Sequence, residues 1–378
     1  MRHLSIFFGL SAGVLAASTA ATAEPRQTAA EIAGPAHLDR DKLTHNIETI
    51  LAKHQVAGAH VVVTFGPDTV LSRAYGTDPS TGETFEADTV VRLASASKLM
   101  TAITIASLVE SGDLDLEATL GDIDPSLPRK WQDVPVWRVL NHTSGLPMIV
   151  SRPEFGAMND DRLSRFSMDD LSAIIGSEDL DFAPGDRWRY QQSGYAILTH
   201  ALATRAGTSW AAIVEKTLLQ PASLAGTGIG NDAAVFEMRD GKFTRHISNY
   251  PAFFAPAGGF QTTGEDTRKL LLALTNGSLI NEDSLRALVN DQRRLEQLGR
   301  DAEGEGYGLG VAVQRFGDVA FFGHSGGGGL ADIRFAPERQ VGIAVVTNRA
   351  GGTGAAIEIG DLIASTLFGP PHEASESS

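Results

Sequence analysis

Ser95 and Lys98 stand three residues apart in Ser95-Ala96-Ser97-Lys98, at the head of an apolar run. A serine hydroxyl is a poor nucleophile at neutral pH and needs a base within hydrogen-bond reach. On a helix, residues i and i+3 share a face, with Cβ atoms about 5–6 Å apart. Lys98 is therefore expected to lean back toward Ser95. A lysine amine is ordinarily protonated, but desolvation and the positive field of a helix N-terminus lower its pKa toward a working range. The other lysines (Lys42, Lys53, Lys130, Lys216, Lys242 and Lys269) have no serine three positions earlier. The plainer reading of the same four residues is an N-capping serine beside a solvated lysine.

Three further stretches carry candidate chemistry. Gly323-His324-Ser325-Gly326-Gly327 follows a β-rich run and formally fits a nucleophile elbow. An elbow needs a helix next and a histidine later. Glycines follow instead, and the only later histidine is His372. Exposed backbone N–H groups at a glycine-rich strand end suit these residues better, because two such donors stabilise the oxyanion of acyl transfer. Tyr190 is a possible second acid/base, with a phenol that a nearby lysine charge would lower; its alternative is a core or interface tyrosine. Asn141-His142-Thr143-Ser144 reads as a turn closed by side-chain hydrogen bonds to backbone, rather than as a catalytic pair. No histidine pair has metal-ligand spacing, and the pairs Asp160-Asp161 and Asp169-Asp170 read as solvated. No cofactor is called for.

The elements that must position these residues follow from periodicity. Leu43, Ile47, Ile50 and Leu51 predict a helix over 38–54, and two strands follow, over 59–65 and 69–75, around Gly66-Pro67-Asp68. Leu99, Ile103 and Ala106 repeat at helical spacing after Ser95, with Gly112 as the stop. Residues 113–250 mix short helical patterns with turns; 195–206 and 210–219 are the better helices. A further helix covers 264–276. Strands are predicted over 308–316, 319–322, 331–335 and 341–347, and a helix over 354–367. Strands near both ends of the chain predict one α/β layer from 38–112 and 255–368. A mainly helical part over 113–254 is then inserted, and the site lies in the groove between them.

The chain has 378 residues, enough for about two domains. Its net charge of −15 argues against a nucleic-acid partner and against a polybasic membrane-surface role. The start reads as an export signal. Met1-Arg2-His3 is basic, 4–17 is apolar, and Ala21-Thr22-Ala23 is a cleavage pattern before Glu24. The reading is a signal peptide over 1–23, a linker over 24–37, and a bacterial periplasmic location. The sequence contains no cysteine, which removes disulfide and thiol chemistry. The end, 369–378, reads as a disordered tail.

Taken in order, these stretches resemble the serine β-lactamase-like family, in the branch with class C β-lactamases, D-Ala-D-Ala peptidases and esterases. The matching residues are Ser95-Ala96-Ser97-Lys98, Leu140 to Pro147, Pro184-Gly185 leading to Tyr190, Ala257-Gly258-Gly259 with Thr263 to Asp266, and His324-Ser325-Gly326. The resemblance covers roughly 37–367. It implies a β-lactamase/transpeptidase-like α/β fold, an antiparallel sheet flanked by helices with a mainly helical insertion. It implies Ser95 as the acylated nucleophile, Lys98 as its activator and Tyr190 as proton carrier. The backbone N–H groups of Ser95 and Gly327 would form the oxyanion hole. Gln192, His324, Ser325 and Gly326 would bind substrate. Two departures stand out. Gln192 occupies the place of an asparagine, with one extra methylene, and His324 occupies the place of a carboxylate-binding lysine. A largely neutral histidine attracts a carboxylate less. The expected activity is hydrolysis of a small ester, amide or peptide through an acyl-enzyme. The alternatives are a β-lactamase or D-Ala-D-Ala carboxypeptidase, and a non-catalytic substrate-binding homologue.

Overall fold

Strands from early and late in the chain meet in a single sheet. The computed structural model describes residues 38–175, 179–246, 250–290, 306–351 and 354–371. The expected signal peptide and linker, and the tail from 372, lie outside the described residues. In chain order the strands are β1 (Gly58–Phe65), β2 (Asp68–Gly76), β3 (Val91–Arg92), β4 (Gly228–Ile229), β5 (Val235–Arg239), β6 (Lys242–His246), β7 (Phe260–Thr262), β8 (Gly306–Tyr307), β9 (Ala312–Phe316), β10 (Val319–Gly326), β11 (Ala331–Ala336) and β12 (Val341–Thr347). The main sheet is antiparallel, in the order β2-β1-β12-β11-β10-β9-β8. Its centre joins the first and last strands of the sequence, with Val61 opposite Val345. A smaller sheet, β3-β7-β4, ties the approach to Ser95 to the 260–262 segment.

Side chains alternate between sheet faces, and both faces are covered. Val61, Val63, Ile343 and Val345 face the helices Arg40–Lys53 and Ala355–Phe368, packing on Leu43, Ile47, Ile359 and Ile363. Val62, Ala344, Val346 and Ile333 face the other way, into a larger core shared with the helices Ser97–Glu110, Ser193–Ala206 and Gly264–Thr275. Central strands buried on both sides read as continuous apolar runs, as Val341–Thr347 does.

Three local expectations change. The strand expected over 308–316 is broken, because Gly310 turns at φ +84° and packs against Ala102 and Tyr195 of two helices. The 113–254 stretch holds β4 and the β5–β6 hairpin as well as helices. The start of the expected tail is ordered: Gly317 N–H donates to the Pro370 carbonyl at 3.1 Å, and Pro371 bridges to Phe316.

One polar group is buried between sheet and helix. Arg334 bonds Asp332 and Asp361, each at 2.7 Å, and Arg334 and Asp332 are almost wholly enclosed. Burial pushes the Asp332 carboxyl up to about 6, against the pull of Arg334. Arg334→Met leaves that carboxylate without its cation and is expected to cost about 3–5 kcal/mol at pH 7. An acid whose folded pKa lies above its unfolded one binds more protons when folded, so its contribution to stability falls as pH rises between about 4 and about 6. Without its cation the folded acid takes up its proton at a still higher pH, so urea melts should show the Arg334→Met penalty shrinking as pH is lowered toward about 6 and staying level below it.

Candidate active site

Ser95 sits where β3 gives way to a long helix. The Leu93 N–H donates to the Phe260 carbonyl at 2.9 Å, which fixes the end of the strand. The chain then turns through Ala94 at φ +45°, in the left-handed region, and a short 3₁₀ turn, Ala94–Ala96, carries Ser95. The α-helix itself starts at Ser97, so Ser95 precedes the helix rather than capping it. Non-glycine residues held there cost on the order of 1–3 kcal/mol and persist only where the surroundings impose them. One imposing contact is visible. A Cβ at Gly326 would lie 2.3 Å from the Leu93 carbonyl oxygen, so only glycine lets the end of β10 close against this turn. Gly326 is thus explained by packing. At Gly327, a Cβ would meet nothing within 4 Å.

Lys98, one turn on, is wholly buried. Its Nζ donates to the Ala257 carbonyl at 2.9 Å. It lies 4.6 Å from the centre of the Tyr190 ring and 5.6 Å from that of Tyr195. Burial drives the amine from its ordinary 10.5 down to about 7. The same helix face is stitched to the same segment twice more. Thr101 Oγ1 donates to the Pro256 carbonyl at 2.7 Å, and Ser97 Oγ accepts from the Phe260 N–H at 3.0 Å. The Ala257-Gly258-Gly259 stretch therefore seats the lysine, while Thr263 caps the helix Gly264–Thr275 through the Asp266 N–H.

The Ser95 side chain lies close enough to the Tyr190 hydroxyl to pull its pKa down. Burial nevertheless pushes this phenol up to about 12. The expected lowering is overturned, because burial of the phenol itself favours its neutral form. Tyr190 stands beside both residues, with its hydroxyl influenced by Ser95 and its ring over the Lys98 amine.

His324 is buried near the end of β10. Its Nδ1 lies 2.7 Å from the Ser325 carbonyl, which can only accept, so Nδ1 carries the hydrogen. Nε2 then accepts from the Tyr307 hydroxyl at 3.0 Å. Burial and the neighbouring Lys98 hold the imidazole down at about 3, so it is neutral. Of the two glutamines, Gln191 is buried and its Nε2 donates to Ser144 Oγ at 3.0 Å. Gln192 opens the helix Ser193–Ala206 without capping it and lines the cleft.

That cleft, of about 280 Å³, brings together Ser95, Gln192, Gly327, Tyr250 and Arg92. The β5–β6 hairpin adds Glu237 and His246, paired at 2.7 Å. A larger hollow of about 570 Å³ lies around Asp124, Ser167 and His200 and contains none of the motif residues. Among the described residues no cluster suited to a metal occurs, and no helix is long and apolar enough to cross a membrane.

Sequence reasoning missed part of the site. His142 belongs to a turn, as expected, with Asn141 Oδ1 accepting from Thr143 Oγ1 at 2.6 Å. Yet its ring is buried against Tyr190, Tyr195 and Tyr307, at centroid distances of 4.5, 5.4 and 4.8 Å. Tyr307 was not singled out at all. The available signal was Gly306-Tyr307-Gly308-Leu309-Gly310, an aromatic flanked by glycines that permit close packing.

Known proteins resemble this chain in sequence and in fold. The chain is 25% identical over 367 residues to Esterase EstB of Burkholderia gladioli, covering 83% of this chain and 92% of that one. It is 30% identical over 195 residues to Penicillin-binding protein 4* of Bacillus subtilis, covering 51% of this chain and only 42% of that longer relative. It is 24% identical to the D-alanyl-D-alanine-carboxypeptidase/endopeptidase AmpH of Escherichia coli, covering 78% and 80%. The fold is shared with the octameric penicillin-binding protein homologue from Pyrococcus abyssi, at a TM-score of 0.73 and 21% identity over 88% of this chain and 79% of that one. It is shared as well with the D-amino acid amidase of Ochrobactrum anthropi SV3, at 0.71 and 20% over 86% and 98%. The model of the Beta-lactamase family matches residues 43–368, and the chain belongs to that family.

Proposed function

We propose that this protein is a serine hydrolase that cleaves a small ester or amide through an acyl-enzyme on Ser95. One observation carries the reading: a part-exposed serine lies beside a phenol whose ring covers a buried amine poised at about 7. Ser95 Oγ forms a bond to the substrate carbonyl carbon, and its proton passes by way of the Tyr190 hydroxyl to Lys98. The Ser95 and Gly327 N–H groups hold the oxyanion, an interaction whose loss typically costs about 10²–10³ in rate. Collapse breaks the bond to the leaving alcohol or amine, which takes the proton back through Tyr190. A water then adds to the acyl carbon and gives its proton to the same pair, and that proton returns to Ser95 Oγ as the bond to the acyl carbon breaks and the acid leaves.

The neutral His324 favours substrates without a carboxylate at that point, in keeping with the similarity to Esterase EstB. Arg92 in the cleft supports a second reading, a carboxylate-bearing peptide or β-lactam, in keeping with the similarity to AmpH. A screen pairing p-nitrophenyl esters, D-amino acid amides and nitrocefin separates the two.

A fluorophosphonate probe is expected to label the wild-type protein at Ser95 and to leave Ser95→Ala unlabelled. An unlabelled wild type would favour a binding protein instead. The working form is the deprotonated amine, so kcat/KM should climb with pH and level off above about 7. A rate that declines from about pH 6 to about pH 8 would sink the assignment of Lys98. Lys98→Met is expected to lose about 10²–10⁴ in kcat while melting at a higher temperature at pH 7, since it no longer desolvates an amine.

A further inference from the structure

We infer that His142 is a positioning residue that seats Tyr190, and the inference rests on the role proposed for Tyr190 above. His142 holds the backbone on both sides of that tyrosine. Its carbonyl accepts from the Arg189 N–H at 2.9 Å, and its Nδ1 accepts from the Gln191 N–H at 3.4 Å. Its ring lies against the Tyr190 ring itself, with centroids 4.5 Å apart. One residue therefore fixes the chain before Tyr190, the chain after it and the face of its phenol.

The chemistry of this histidine is otherwise hard to explain. Burial, with Lys98 and His324 nearby, keeps it neutral. With Nδ1 acting as acceptor, Nε2 carries the hydrogen, and this buried nitrogen has no hydrogen-bond partner among the described residues. An unsatisfied buried polar group costs roughly 1–3 kcal/mol. The backbone at His142 is also left-handed, at φ +64°. A fully apolar ring would fill the space between Trp188, Tyr190, Tyr195 and Tyr307 without an orphaned nitrogen. What it would lack is the acceptor for Gln191, and that acceptor sets where the Tyr190 hydroxyl meets Ser95.

Displacing a catalytic group by about 1 Å can cost on the order of 10²-fold. A double-mutant cycle reads this directly. His142→Phe and Tyr190→Phe should each lower kcat on the best ester of the screen, by on the order of 10²-fold for His142→Phe, with KM little changed. The double variant should be no slower than the slower single one, because both changes remove the same hydroxyl from its place. His142→Asn puts a carbonyl oxygen near the Nδ1 position and tolerates the left-handed backbone, so it should recover most of the wild-type kcat. Losses that multiply in the double variant, a folded His142→Phe with wild-type kcat, or a folded His142→Asn as slow as Tyr190→Phe would each overturn the inference. Where His142→Phe fails to fold, the His142→Asn result decides. Fluorophosphonate labelling of the wild type keeps the two levels apart: an unlabelled Ser95 refutes the proposed function, whereas normal labelling with an additive cycle refutes only the role of His142.

Discussion

Everything in the site depends on burying the Lys98 amine with no carboxylate against it among the described residues. An amine held at about 7 rather than 10.5 has lost preference for its charged form. At about 1.4 kcal/mol per pKa unit, this amounts to roughly 4 kcal/mol at neutral pH, a large share of the stability of an ordinary domain. A neighbouring Asp or Glu would remove that strain and abolish the base with it, because an opposite charge favours the ammonium. Uncharged partners take that place instead: a backbone carbonyl at 2.9 Å and the faces of two phenol rings.

The scaffold offsets this cost by apolar burial away from the site. The sheet is packed on both faces, and the strands that form its middle come from the two ends of the chain. That topology delivers the end of β10 to the turn bearing Ser95, where the absence of a side chain at Gly326 permits contact. The break in the expected 308–316 strand serves the same end. Gly310 folds the chain onto the Lys98 helix, which leaves Tyr307 facing His324. Two glycines thus convert a plain antiparallel sheet into the wall of a cleft.

Local pattern was enough to read much of this. The strands 58–65 and 68–76, the helix 97–110 and the strand 341–347 follow from period-two and period-3.6 apolarity, and the structure moves their ends by a residue or two. The turn of helix that follows Ser95 was legible because it is a local feature, whereas the carbonyl that receives the Lys98 amine lies far along the chain at Ala257. The rest depends on residues far apart in sequence. Tyr190, Tyr307 and His142 become neighbours only after the sheet closes, and no single window contains them. The sign of the Tyr190 shift was misread for the same reason: burial outweighs a nearby amine, and burial is a property of the whole fold. The β5–β6 hairpin was overlooked because its strands are short and its outer face is charged.

A histidine at position 324, where the family resemblance implies a lysine, has a consequence beyond substrate charge. Here it also bears on the base. His324 and Lys98 sense each other, and the amine is among the causes that keep the imidazole neutral. By reciprocity a fixed cation at 324 would push Lys98 below the value that burial alone sets, giving a weaker base that is deprotonated at lower pH. A neutral ring, held in one tautomer by the Ser325 carbonyl and the Tyr307 hydroxyl, leaves that value near 7. On the proposed roles, substrate charge and base strength are therefore coupled through one position. If Lys98 is the base and position 324 faces substrate, as proposed, a neutral ring there costs affinity for a carboxylate and keeps the amine more basic, a combination suited to acyl groups that bring no charge of their own.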